Sequence, residues 1–136
     1  MAGYSGAPLP KKLGIKDDLR VTLIEVPLEV RKELKSVLAK CQFVNDSRTP
    51  LDFAMLFTKS SSHLAKEFAR LAKQLAPSGM LWISWPKKTS GLASDLDENK
   101  VRTIGLSQGL VDVKVCAVTG VWSGLKFVRR LKDRPQ

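Results

Sequence analysis

Apolar positions along this chain switch repeatedly between continuous runs and helical intervals, and the switches fall at proline, glycine or serine clusters. Residues 8–13 predict a short helix, with Pro8 or Pro10 in its first turn and Gly14 ending it. Residues 19–26 read Leu-Arg-Val-Thr-Leu-Ile-Glu-Val and are closed by Pro27, which predicts a strand. From Leu28 the interval lengthens. Val30, Leu34, Val37, Leu38 and Cys41 recur at helical spacing among lysines and glutamates, predicting an amphipathic helix. A short piece at 42–44 and a polar turn through Asn45, Asp46, Ser47 and Pro50 lead to 51–57, an apolar run that suits a strand covered on both faces.

Ser60, Ser61 and Ser62 are N-cap candidates for a helix reaching Leu75, with Leu64, Phe68, Leu71 and Leu75 on one stripe. Ala76-Pro77-Ser78-Gly79 is expected to stop it, and 80–85 to form the next strand, ended by Pro86. After a loop at 87–93, Ser94-Asp95-Leu96-Asp97 has the form of a capping box opening a helix that turns Val101 and Ile104 inward and ends near Gly109. Strands at 112–118 and 122–129 flank a turn at Thr119-Gly120 and predict an antiparallel hairpin; the basic tail 130–136 is expected to fray. Strands alternating with helices predict an α/β fold: a mostly parallel sheet with helices on both faces and a C-terminal antiparallel hairpin at one edge. No internal repeat interrupts this order.

Length and composition narrow the picture. At 136 residues the chain is one domain, 1–136, with residues 1–18 an arm and short helix, and it can bury about two thirds of its unfolded surface. Cys41 and Cys116 sit in apolar-periodic segments and read as small hydrophobic residues, not as a disulfide or reactive thiol. One histidine, His63, without CxxC or HxxxH spacing leaves a zinc site short of ligands, so no metal is expected. The segment Met1-Ala2-Gly3-Tyr4-Ser5-Gly6 lacks the charged and apolar regions of a signal peptide, and no apolar run reaches membrane-span length. The expected compartment is the cytoplasm, without membrane contact, and the sequon Asn45-Asp46-Ser47 is then a chance match.

The net charge of +10, from 23 lysines and arginines against 13 acidic residues, favours anions, nucleic acid or acidic surfaces without choosing among them. The basic residues are dispersed, as on a solvated surface.

The order of elements resembles the Rossmann-like methyltransferases that use S-adenosylmethionine, with Leu13-Gly14-Ile15-Lys16-Asp17-Asp18-Leu19-Arg20-Val21 similar to the lead-in to their first strand. Gly3-Tyr4-Ser5-Gly6, Pro8-Leu9, Lys12-Leu13-Gly14, Trp85-Pro86-Lys87-Lys88, the run from Gly109 to Val118 and the run from Trp122 to Val128 resemble a family of small bacterial proteins known as a domain of unknown function. The first resemblance implies a three-layer Rossmann-like, methyltransferase-like architecture, and the second a single cytoplasmic bacterial domain with no implied activity. Against the methyltransferase pattern, the turn after the first strand reads Glu25-Val26-Pro27-Leu28-Glu29-Val30. It has no glycine, Pro27 offers no N–H, and the side chains are expected to crowd a cofactor, so no cofactor is expected in the usual pose.

Ligands of open α/β sheets sit outside the carboxyl ends of the parallel strands. Three loops meet there: Pro27-Leu28, Thr58 to Ser62, and Pro86 to Gly91. Lys59, Ser60, Ser61, Ser62, Lys87 and Lys88 are the candidate anion-binding residues, aided by the helix start near Ser62. Capping serines and solvated lysines explain the same residues without a ligand. Trp82, Trp85 and Trp122 read as core or sheet-face residues rather than a base-stacking platform, Trp85-Pro86 as a trans bond, and His63 as a surface residue without catalytic partners. Asp95, Asp97, Glu98 and Asn99 read as a capped acidic helix start, not as a cation site. No catalytic residue is assigned. The leading expectation is a non-enzymatic binder of an anionic small molecule or a partner protein. The alternatives are a nucleic-acid-associated protein using Lys11, Lys12, Lys87, Lys88, Lys126, Arg129 and Arg130, or a degenerate methyltransferase-like enzyme.

Overall fold

Leu51–Phe57 is buried along nearly its whole length, as a strand must be when both faces of its sheet are covered. In the computed structural model, which describes residues 7–134, this is β3 of a six-stranded sheet. The chain runs α1 (Leu9–Leu13), β1 (Arg20–Ile24), α2 (Leu28–Glu33), α3 (Lys35–Leu38), β2 (Gln42–Phe43), β3, α4 (Ser61–Gln74), β4 (Leu75–Pro86), α5 (Glu98–Ser107), β5 (Leu110–Ala117) and β6 (Trp122–Arg129). The strand order is β2-β1-β3-β4-β6-β5; the first four are mutually parallel, and β6 and β5 are antiparallel to their neighbours. The mostly parallel sheet with an antiparallel C-terminal pair is therefore as the sequence predicts.

Two apolar clusters cover the two faces. Leu64, Phe68 and Leu71 of α4 and Val101 of α5 pack with Ala54, Leu56, Ile83 and Phe127 on one side. On the other, Leu9 and Leu13 of α1, Val30 of α2 and Leu38 of α3 pack with Phe53, Met55, Phe57 and Trp82. The alternation along β3 and β4 divides the side chains between these layers. Trp82 is fully buried and its Nε1 donates to the Leu13 carbonyl at 2.8 Å, which ties α1 to the sheet.

Several expectations are corrected. Ala76-Pro77-Ser78-Gly79 makes no turn: α4 passes directly into β4 at Leu75, and the four residues bulge between the pairs Leu51↔Leu75 and Phe53↔Met80. A Cβ on Gly79 would lie 2.5 Å from the Leu51 carbonyl oxygen, so the bulge is tight against β3. The helix expected through Cys41 breaks at Leu34, whose φ of −96° and ψ of 0° separate α2 from α3. Helix α5 is capped by Asp97, which accepts from the Lys100 N–H at 2.8 Å; Ser94 instead donates to the Lys59 carbonyl and accepts from the Leu96 N–H. The tail forms a 3-10 turn at Leu131–Asp133, while residues 135 and 136, like 1–6 with their Gly-Tyr-Ser-Gly sequence, lie outside the described residues. Both cysteines are unpaired and partly buried.

The base of the sheet is held by a bidentate clamp. Arg20 on β1 donates from Nε and Nη2 to the two Asp52 oxygens on β3, each at 2.9 Å, and its backbone N–H adds a third bond at 2.9 Å. These bonds, the guanidinium's first among them, hold the Asp52 carboxyl below its usual pKa. A depressed folded pKa means that the stabilisation is complete above the unfolded value of about 3.9 and is lost as pH falls through the folded one. Asp52→Asn should therefore cost about 1 kcal/mol at neutral pH after solvent screening, a gap that narrows below about pH 4 in urea titrations of both proteins.

Candidate functional site

Strand β1 feeds a crossover to β2 on one side, while β3 lies on its other side, so the strand order reverses between β1 and β3. In an open α/β sheet such a reversal leaves a crevice at the carboxyl ends of the two strands, because the connections depart in opposite directions. A cavity of about 480 Å³ occupies that place, lined by Glu25, Phe57, Thr58, Lys59, Ser60, His63 and Trp122. Its size falls in the range of small-ligand sites.

Glu25, just after β1, has a φ of +58°, in the left-handed region that favours glycine. Cofactor-binding Rossmann sheets place a glycine at this position. The side chains that follow do not fill the cavity: Val26 is buried beside α2, and Leu28 is 68% exposed. Of the turn residues 25–30, Glu25 lines the cavity.

The opposite wall comes from β3 and α4. Thr58 is 4% exposed, and its Oγ1 shares a 2.7 Å hydrogen bond with His63 Nδ1. His63 is thus a half-buried cavity residue, not the surface histidine expected, and its Nε2 has no partner among the described residues. Sequence reasoning missed the pair because Thr58 and His63 meet only when the loop folds back over the first turn of α4. Trp122, carried by β6, packs edge-on against Phe57 with ring centroids 4.9 Å apart. It is 9% exposed, a sheet residue as expected, and also an aromatic wall of the cavity.

The predicted anion-binding residues divide. Lys59 and Ser60 line the cavity. Ser60 caps α4 by accepting from the His63 N–H at 3.1 Å, and Ser62 is exposed with its Oγ 3.4 Å from that of Ser60. Ser61 faces a different partner. Its N–H and hydroxyl donate to the Asp95 carboxylate at 2.8 and 2.9 Å. Those two bonds, the hydroxyl's first, hold the Asp95 carboxyl below its usual pKa. The loop before α5 therefore already presents an anion to the start of α4, as the helix dipole favours. Lys87 and Lys88 stand on the loop after β4, where the Lys87 N–H donates to the Val121 carbonyl, and they are not among the cavity's lining residues.

Two cations of the nucleic-acid alternative are committed within the fold. Arg129 donates from Nη2 to the Ala72 and Leu75 carbonyls at 2.7 and 2.6 Å, closing the end of α4. Lys12 is 8% exposed and donates to the Ala117 carbonyl at 2.9 Å. Among the described residues no group of three or more metal-ligating side chains converges, and no helix is long and apolar enough to cross a membrane.

No known family model and no curated protein matches the sequence. The fold is similar to solved methyltransferases. A magnesium protoporphyrin IX methyltransferase from Synechocystis, solved with bound SAM, superposes with a TM-score of 0.58 at 14% identity, over 90% of this chain and 74% of that one. A putative methyltransferase from Thermoplasma acidophilum gives 0.57 at 8% identity, over 93% and 76%. Precorrin-6y C5,15-methyltransferase from Geobacter metallireducens gives 0.56 at 11% identity, over 90% and 86%. The chain thus has the Rossmann-like architecture of these methyltransferases. Identity at this level carries the fold alone, and activity has to be argued from the site.

Proposed function

We propose that this chain binds a small anionic ligand in the cavity between β1 and β3. The observation that carries the reading is the cavity's position at the reversal of strand order, lined by Lys59, the Thr58–His63 pair and the Ser60 hydroxyl around Phe57 and Trp122, with the Glu25 carboxylate on the β1 wall directing an anion to the Lys59 side. Lys59 supplies charge and His63 Nε2 a hydrogen-bonding position that no described residue fills. The rings suit an apolar or planar portion of the ligand. A cytoplasmic bacterial setting belongs to the same proposal.

The reading departs from the sequence expectation in one respect: the anion's partners are Lys59, Ser60 and His63, with Ser61 engaged by Asp95 and Lys87 and Lys88 outside the lining. A second reading, use of S-adenosylmethionine by a reduced methyltransferase-like domain, is favoured by the left-handed Glu25 backbone at the position where cofactor-binding sheets of this architecture place a glycine. It remains a glycine-free turn, and Pro27 contributes no N–H to a ligand.

Thermal-shift titration with nucleotides, phosphorylated metabolites, S-adenosylmethionine and S-adenosylhomocysteine separates the two readings. The first predicts a saturable rise with a phosphorylated or carboxylated compound that Lys59→Met combined with His63→Gln weakens by about ten-fold or more, the effect of losing one charged hydrogen bond. A rise confined to the two sulfur compounds would favour the second reading. A response unchanged by the double substitution would place binding elsewhere.

A further inference from the structure

Away from the cavity, on the sheet face covered by α1, two lysines occupy adjoining positions of the β5–β6 hairpin. Lys114 and Lys126 are direct cross-strand partners. Like charges placed opposite each other in a sheet repel, and folds usually avoid or neutralise the arrangement. Here the described residues do neither. Lys114 Nζ donates one bond, to the Lys12 carbonyl at 2.8 Å, and Lys126 Nζ forms no hydrogen bond or ion pair with a described residue. The nearby acid is spoken for, because Asp112 is bound through Oδ2 to Arg102 Nε at 2.9 Å.

A bulge between Asp112 and Lys114 sets this up. It shifts the register of β5, so that Asp112 reaches Arg102 on α5 while Lys114 reaches α1 on the opposite layer. Without the extra residue the two side chains would share a face. Lys126 is partly buried: a Cβ built on Gly14 would lie 3.6 Å from its Nζ and 3.6 Å from Met80 Sδ. Burial, with Lys114 adding to it, pushes the Lys126 pKa down. Lys12 reaches the same corner, donating to Ala117 at the end of β5. The helix end at Lys12 accounts for one bond of Lys114; nothing in the fold accounts for Lys126.

We propose that Lys114 and Lys126, with Lys12 beside them, bind a phosphate group on the α1 side of the hairpin. Lys114 keeps two ammonium hydrogens after its bond to Lys12, and Lys126 keeps three. A tetrahedral dianion accepts from both and removes their repulsion, as lysines do for phosphate when they act as point charges. Lys114 is exposed, so the position is open to solvent. This site is separate from the cavity at the end of β1, and neither depends on the other.

The test uses the full chain and site-resolved NMR, with inorganic phosphate and glycerol 3-phosphate as the two probes. Amide shifts of Gly14, Lys114 and Lys126 should move together along one saturation curve. Stronger binding of the free ion or of the ester tells which source the site takes. Lys114→Met and Lys126→Met should each raise the half-saturating concentration about ten-fold or more, while Lys32→Met on α2 leaves it unchanged. Without ligand, Lys126→Met should raise the melting temperature by about 3 °C, because the repulsion is gone. Shifts that do not saturate with either probe, saturation unaltered in both variants, or a ligand-free Lys126→Met that melts below wild type would each overturn the proposal.

Discussion

Gly105→Ala should destabilise the fold by about 3 kcal/mol, the upper end of what a single inserted methyl costs in a packed interior. Gly105 lies inside α5 with ordinary helical geometry, so its lack of a side chain is not a matter of backbone freedom. On propensity alone alanine would be the better helix former by nearly 1 kcal/mol. Packing reverses that sign. A Cβ here would lie 2.5 Å from Phe127 Cζ and 2.7 Å from Cδ1, inside the ring's van der Waals surface. Phe127 has no room to withdraw: it is fully buried and meets Phe68 edge-on with centroids 5.1 Å apart. Helix α5 must lift from the sheet instead. Urea unfolding of the variant should show a lower midpoint with an unchanged slope, and a midpoint equal to or above wild type would show that the α5–β6 contact is looser than described.

The second large effect is expected at Trp82. Its indole is fully buried in β4, and its Nε1 is the hydrogen-bond donor to the Leu13 carbonyl across the sheet face. Trp82→Ala should cost about 3 to 5 kcal/mol through lost burial and a residual cavity. Trp82→Phe keeps much of the apolar volume but strands the Leu13 carbonyl, for about 1 to 3 kcal/mol. The two variants thus separate packing from the bond. Amide hydrogen exchange should rise first in α1 for the phenylalanine variant, because the bond joins those of Lys12 with Ala117 and Lys114 in tying α1 to the sheet. Equal protection of α1 in that variant and in wild type would contradict the assignment.

How much of this the sequence displays depends on the range of the interaction. The run from Leu51 to Phe57 announces a doubly covered strand because burial on both faces is written into the residues themselves. The Ser60 cap is equally legible, since its partner lies three residues on. Ala-Pro-Ser-Gly misleads for the opposite reason: turn residues also make bulges, and only the approach of Gly79 to Leu51, far away in sequence, decides between them. Ser94 offers a capping-box pattern, yet Asp97 takes the cap while Ser94 reaches across to the loop of Lys59. At the candidate site, Lys59 and Ser60 are readable from the strand-end rule, whereas His63 and Trp122 are not. Trp122 reaches the cavity because β6 runs antiparallel to β4, which brings the start of the last strand to the same sheet edge as the ends of the parallel ones. Nor does the glycine-free sequence after β1 announce that Glu25 takes a left-handed backbone there and lines the cavity.

Ligand binding in the cavity between β1 and β3 is open to direct measurement. The most direct measurement is an NMR titration with the compound giving the largest thermal shift, following the His63 ring, the Thr58, Lys59 and Ser60 amides and the Trp122 indole N–H. These signals should shift together and saturate at the concentration that governs the thermal shift, while the indoles of Trp82 and Trp85, buried within the sheet, stay in place. Saturable binding that leaves His63 and Trp122 unmoved and shifts residues elsewhere would contradict it.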